Sequence, residues 1–191
     1  MFGWGTGNNP TQTSTSSSSY SSFTDWGVNS IGDDAPNTWR TLTHDEWEFL
    51  FSKRTHAGTL FALGTVNGLH GAIILPDNWS KPDGVAFTPS TSNGLSWQIH
   101  NNFIDESGKI NHYLDNQYSS SEWSKMEMAG AVFLPEAWER EGQTIGEMGG
   151  NYWSSTLHSK NSPYVLEIGP SGLYPFSVKS PYMGLSVRLV R

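Results

Sequence analysis

The sequence predicts an α+β domain: two short helices, several short strands in small mixed or antiparallel sheets, and an unusual amount of loop. Three observations carry this prediction. Thr43-His44-Asp45-Glu46 fits a helix capping box and is followed by apolar residues at helical spacing. Asn67-Gly68, the pair favoured in tight hairpins, separates two short apolar runs. Gly, Ser, Asn and Pro punctuate the rest of the chain too often for long elements.

Taken in order, residues 11–22 are a Ser/Thr-rich stretch with too little apolar content to order itself as an element. They read as a surface loop between two aromatic anchors, Phe2/Trp4 and Phe23/Trp26. A helix is expected over residues 44–53, with Thr43 as N-cap, Glu46 reaching back, and Trp47, Leu50 and Phe51 facing inward. Lys53 and Arg54 suit its C-terminal end. Strands are expected over 60–66 and 70–75, the second stopped by Pro76, and residues 77–102 read mostly as loop.

A second helix fits residues 120–128, capped by Ser119 or Ser120, with Trp123, Met126 and Met128 facing inward. Ala131-Val132-Phe133-Leu134-Pro135 repeats the pattern of Ala72-Ile73-Ile74-Leu75-Pro76, so both read as central strands of one small sheet. In the last segment, strands are expected over 151–156, 164–168 and 174–178, with a turn at 169–172. Residues 185–191 alternate apolar and polar, as in a strand with one buried face.

The 191 residues suffice for one domain with its own core. Aromatic residues make up 13%, nine of them Trp, while charged residues make up only 15%. That balance is unlike a cytosolic enzyme and resembles contact surfaces, where Tyr and Trp give rigid area and Ser, Asn and Gly give adaptable hydrogen bonds. The alternative is an ordinary β-rich domain with aromatic core positions. The net charge is −7, and no Lys/Arg cluster exists to displace counterions from phosphates, so no nucleic-acid partner is expected. No apolar run approaches a membrane span, so no membrane insertion is expected. Without cysteine there are no disulfides and no thiolate chemistry. Residues 1–5 lack the basic start and apolar core of a signal peptide. The chain is therefore expected to start inside a longer protein, or to reach the outside by another route, such as in a virion.

No enzyme signature emerges, and no catalytic residue is assigned. There is no P-loop, and Gly3-Trp4-Gly5-Thr6-Gly7 lacks the lysine and preceding strand of a phosphate cradle. No GxSxG elbow marks a nucleophile. Glu136, Glu139 and Glu141 contain a conceivable glycosidase pair, against which stands a solvated charged turn. His44, His56, His70, His100, His112 and His158 form neither HxH nor HExxH, and no metal ligand is assigned. Asp25, Asp33, Asp34, Asp77 and Asn78 carry the oxygen ligands calcium takes, but Asp77-Asn78-Trp79 is better read as a turn whose Asp and Asn bond local backbone while Trp79 packs. No cofactor is expected.

The landmarks, taken together, resemble a known family. They are Phe2-Gly3-Trp4-Gly5-Thr6-Gly7, Asn37-Thr38-Trp39-Arg40-Thr41-Leu42-Thr43 leading to Glu46-Trp47, Leu75-Pro76-Asp77-Asn78-Trp79, Gly130-Ala131-Val132-Phe133-Leu134-Pro135, Asn151-Tyr152-Trp153-Ser154-Ser155 and Ser186-Val187-Arg188-Leu189-Val190-Arg191. They resemble surface and secreted domains of gut Bacteroidales and their phages, with a C-type-lectin-like fold of the formylglycine-generating-enzyme type. The similarity covers nearly the whole chain. It implies a single domain over residues 1–191 at the C-terminal end of a longer protein. Enzymes on that fold need active-site cysteines, which this chain lacks, so the resemblance does not carry their activity over. The EPN and WND motifs of calcium-dependent sugar binding are also missing.

Some members of the family are variable proteins of diversity-generating retroelements. Their codons are rewritten in a C-terminal segment framed by sequences like YWSS and SVRLVR. The resemblance implies such a variable, ligand-binding segment over residues 150–191. Trp153, Ser154, Ser155, Ser186, Val187, Arg188 and Leu189 would be fixed frame. The expected binding residues between them are Leu157, His158, Lys160, Asn161, Tyr164, Glu167, Tyr174, Phe176, Lys179, Tyr182 and Met183. The expected function is a non-catalytic receptor-binding or adhesion domain on a cell surface or virion, with a protein or glycan ligand. The alternative is a structural domain of a surface lipoprotein or pilus, without exchangeable ligand, in which Tyr164, Tyr174 and Phe176 would be buried.

Overall fold

The computed structural model describes residues 1–89, 112–146, 149–170 and 172–191. The expected loop from residue 90 onward, His100 and Ser171 lie outside the described residues. In chain order the strands are β1 (Arg40–Thr41), β2 (Phe61–Val66), β3 (Leu69–Ile74), β4 (Gln117–Tyr118), β5 (Val132–Pro135), β6 (Glu139–Glu141), β7 (Thr144–Gly146), β8 (Gly150–Ser159), β9 (Ser162–Gly169), β10 (Gly172–Val178) and β11 (Leu189–Val190). The helices are α1 (His44–Glu48) and α2 (Ser120–Met128). The chain is mixed α+β, as expected, with several small sheets. Among the described residues no helix is long and apolar enough to cross a membrane. The chain forms two compact units: Met1–Glu48 with Ala137–Glu167 and Pro175–Arg191, and Phe49–Glu136 with Ile168–Tyr174.

The first unit is organised around tryptophan. Trp4, Trp26, Trp153, Val165 and Leu185 form a buried cluster, with Phe2, Phe23, Met183, Val187 and Leu189 packed against it. Each indole must find a partner for its N–H or leave a polar group stranded. Trp4 Nε1 donates to the Ser154 carbonyl at 3.0 Å, and Trp153 Nε1 donates to the Phe2 carbonyl at 2.6 Å. The aromatic anchors flanking the Ser/Thr-rich stretch thus belong to this core. The stretch itself is largely exposed, but it contains a short helical turn, Ser17–Tyr20, because Tyr20 is buried and its hydroxyl donates to the Ser14 carbonyl.

Residues 185–191 do not form the single strand their alternation predicts. Within it only Leu189–Val190 forms a strand, paired antiparallel with the two-residue β1, while Leu185 and Ser186 make isolated bridges to Phe2 and Tyr152. Upstream, Gly184, Leu185 and Ser186 donate in turn to the carbonyls of Arg140, Phe2 and Asn151, three different segments. The sheet of order β10-β9-β8 and the β6-β7 hairpin complete this part of the chain. Glu139–Glu141, expected in a charged turn, is the first strand of that hairpin.

The second unit opens on a π-helical turn, Phe49–Lys53, which continues α1. The helix therefore covers the expected 44–53, but its hydrogen bonding widens half-way. Arg54 explains the change. Its side-chain Nε donates to the Leu50 carbonyl at 2.8 Å, the acceptor its own backbone N–H would use in an α-helix, and that N–H donates to Phe49 instead, at 3.0 Å.

The sheet of this unit has the order β4-β2-β3-β5. Asn67 and Gly68 both have positive φ, 49° and 81°, the paired left-handed conformation a two-residue hairpin needs. β3 is central as expected, but β5 lies at the edge of the sheet, where Pro135 costs no ladder bond. In α2, Ser119 and Glu122 form a reciprocal capping box. Trp123 and Met126 are buried as expected, whereas Met128 is 82% exposed. Met128 lies two residues beyond Met126, about 200° round the helix, and so turns to solvent.

Candidate functional site

The expected binding residues lie mainly on and after β8, β9 and β10, with β9 in the middle of the sheet. The base of β8 is fixed: Asn151, Tyr152, Trp153 and Ser154 are buried. From Leu157 to Ser159 the strand is exposed, and the turn at Lys160 and Asn161 is exposed as well. On β9, Pro163 and Val165 are buried and Tyr164 between them is half-buried, as the pleat requires.

The structure brings three of the expected residues together around a fourth that the sequence did not single out. His44, the first residue of α1, lies flat on Tyr164, with ring centroids 3.9 Å apart and planes 11° from parallel. Phe176 meets His44 edge-on at 5.2 Å, and His158 meets Tyr164 edge-on at 5.1 Å. Phe176 remains 38% exposed and Leu157 44% exposed. His44 is held from two further directions. Its backbone N–H donates to Thr156 Oγ1 at 3.1 Å, and its Nδ1 lies 3.2 Å from the Pro175 carbonyl oxygen. A carbonyl only accepts, so that contact assigns the proton to Nδ1 and leaves the lone pair of a neutral ring on Nε2.

The other expected residues are placed differently. Lys179 is tied to the scaffold: its ammonium is 3.3 Å from the Glu139 carboxylate, and its backbone N–H donates to Pro163. Met183 packs against the tryptophan core, so its part is in packing. Glu167, Tyr174 and Tyr182 are half-buried, and Tyr174 falls in the second unit. Tyr164 and Tyr174 are thus neither fully buried nor fully exposed, while Phe176 is exposed.

Beside the cluster, the start of α1 carries most of the local charge. Glu46 accepts two hydrogen bonds from the Arg40 guanidinium, at 2.7 and 2.5 Å, and another from the Thr43 N–H at 2.8 Å. Chiefly because of the bond from Arg40, its carboxyl is held down at about 2. His44, Asp45 and Glu48 form a second group, each offering a ligand atom within 4.8 Å of the other two. The sequence signal for it is the one-turn separation of His44 and Glu48, which a search for HxH and HExxH passes over.

Three of the acidic residues noted for calcium are occupied separately. Asp25 accepts from the N–H groups of Gly27 and Thr41, Asp34 from the Trp39 indole, and Asp77 from Arg54. Of the carboxylates considered as a glycosidase pair, Glu139 is paired with Lys179, and Glu136 lies 3.8 Å from His70. His70 in turn stacks on Tyr113 at 4.3 Å. Burial, followed by the charge of Glu136, pushes the Tyr113 phenol well above its ordinary range. Such a phenol stays protonated at physiological pH.

The fold is thus of the mixed α+β class, with a half-exposed aromatic face at the start of α1. No known protein family, no curated protein and no solved structure matches the chain.

Proposed function

We propose that the chain is a non-catalytic ligand-binding domain of C-type-lectin-like fold, acting in receptor binding or adhesion at a cell surface or on a virion. Its binding face is the aromatic group of His44, His158, Tyr164 and Phe176, with Leu157, Lys160 and Asn161 around it. One observation carries this reading. Phe176 is a large apolar side chain left exposed against the His44 ring, which is itself stacked on the half-buried Tyr164. Rigid aromatic anchors bordered by polar groups are the residues that dominate binding energy at protein surfaces. The ligand is a protein or glycan on a cell surface, and residues 157–161 are the core of a segment varied by a diversity-generating retroelement.

The test is binding of the fluorescently labelled chain to intact bacterial cells, read by flow cytometry. A Tyr164→Ala/Phe176→Ala double variant is expected to lose about tenfold or more in binding while keeping its circular-dichroism spectrum. Unchanged binding by the folded variant places the face elsewhere. Diversification is tested in the genome, by a reverse-transcriptase gene beside a near-copy of the segment encoding residues 150–191.

A further inference from the structure

We propose that His44, Asp45 and Glu48 form a site for a divalent transition metal, with zinc preferred. The site needs only the metal and does not rest on the ligand-binding reading. The donor set is mixed, one imidazole nitrogen and two carboxylates, and the three ligand atoms lie within 4.8 Å of one another. Bonds of about 2.0–2.2 Å to zinc bring such atoms somewhat closer, which asks the exposed Asp45 to rotate and Glu48 to exchange its present interaction for the metal.

A separate observation, from outside the three residues, points to a ligand on the imidazole. Nδ1 lies 3.2 Å from the Pro175 carbonyl, so in the neutral ring it carries the proton and Nε2 the lone pair. A metal-binding histidine characteristically donates its other ring N–H to a backbone carbonyl in this way, which fixes its tautomer and orientation. Here the ring is also clamped flat on Tyr164 and edge-on to Phe176, so the fold has already restricted the first ligand.

Donor chemistry selects the ion. Imidazole with carboxylates suits zinc and its neighbours, whereas calcium takes six to eight oxygens and magnesium keeps a shell of water. Three protein ligands also leave a coordination position for water or for a donor group from another molecule.

The test is calorimetric titration of the intact chain with zinc chloride and, separately, calcium chloride. It is repeated on His44→Phe, which keeps a flat ring against Tyr164 but removes both ring nitrogens, and on Glu48→Gln. The expected result is one zinc per chain, weakened by about tenfold or more in each variant, with calcium bound far more weakly. Absence of saturable zinc binding overturns the proposal. So does zinc affinity in folded His44→Phe equal to that of the parent, or calcium binding as tight as zinc. If His44→Phe does not fold, an unchanged zinc affinity in Glu48→Gln overturns it.

Discussion

His44 and Tyr164, 120 residues apart in the chain, stack with their ring planes 11° from parallel. The pair joins the start of α1 to the first half of β9. Removing the phenol ring with Tyr164→Ala is expected to cost about 1–2 kcal/mol, from the lost stack and the lost apolar area. Tyr164→Phe keeps the ring and is expected to stay within roughly 0.5 kcal/mol of the parent. Urea unfolding of the two variants checks both values.

Arg54 is expected to be among the most sensitive charged positions in the second unit. Its buried guanidinium donates to the carbonyls of Leu60 and Leu75, and its Nε to Leu50. Arg54→Met keeps much of the bulk but strands buried acceptors, at an expected cost of about 2–4 kcal/mol. Asp77, the carboxylate partner, is 74% exposed, and Asp77→Ala is expected to cost less than about 1 kcal/mol. Equal costs for the two variants, measured by chemical denaturation, would sink this account of the carbonyl contacts.

Glu46 gives stability a pH dependence of known sign. Its carboxyl is held at about 2 in the folded chain, below the ordinary 4.5. The contribution is therefore fully present above that ordinary value and is lost as the pH falls toward 2. The pair with Arg40 is largely exposed, which keeps its size to roughly 0.5–1 kcal/mol. In thermal melts between neutral and acidic pH, Glu46→Gln is expected to flatten this part of the curve and to be less stable than the parent at neutral pH only.

Gly27 is expected to tolerate no side chain. A Cβ there overlaps the Trp39 backbone carbonyl, and Asp25 Oδ1, which holds the Gly27 N–H, lies only 3.2 Å from that Cβ. Gly27→Ala is expected to destabilise by about 2 kcal/mol or more. Gly32, whose Cβ would meet nothing, offers the control: Gly32→Ala pays only for its φ of 61°, about 1 kcal/mol.

The features legible in the sequence were those written in neighbouring residues. The Thr43/Glu46 cap, the serine cap of α2 and the Asn67-Gly68 turn each depend on residues at most three apart, and all three formed, the second with Ser119 rather than Ser120. The strand expectations that failed depended on distant partners. The alternation of residues 185–191 is real, but the strand available to pair with it has two residues, so most of the segment bonds piecemeal elsewhere. β5 has the apolar pattern of a central strand, and only the sheet order shows that, among the described residues, no further strand pairs with it. In the candidate site the sequence pointed to Tyr164, Phe176 and His158 but not to His44. His44 acquires its role from Tyr164 and Pro175, both far along the chain, and a single imidazole at a helix start carries no mark of them.

Trp153 is completely buried, with its indole on the Phe2 carbonyl and its backbone N–H on Ser186. The hairpin that carries His158, Lys160 and Asn161 thus grows from a root fastened by both flanking segments of the chain. Natural selection can work on the two separately. Changes at the root are purged because they unfold the protein, while changes at the tip pass through folding nearly neutral and are judged only by what they touch. A population of such chains can therefore explore many surfaces at little cost in viable protein.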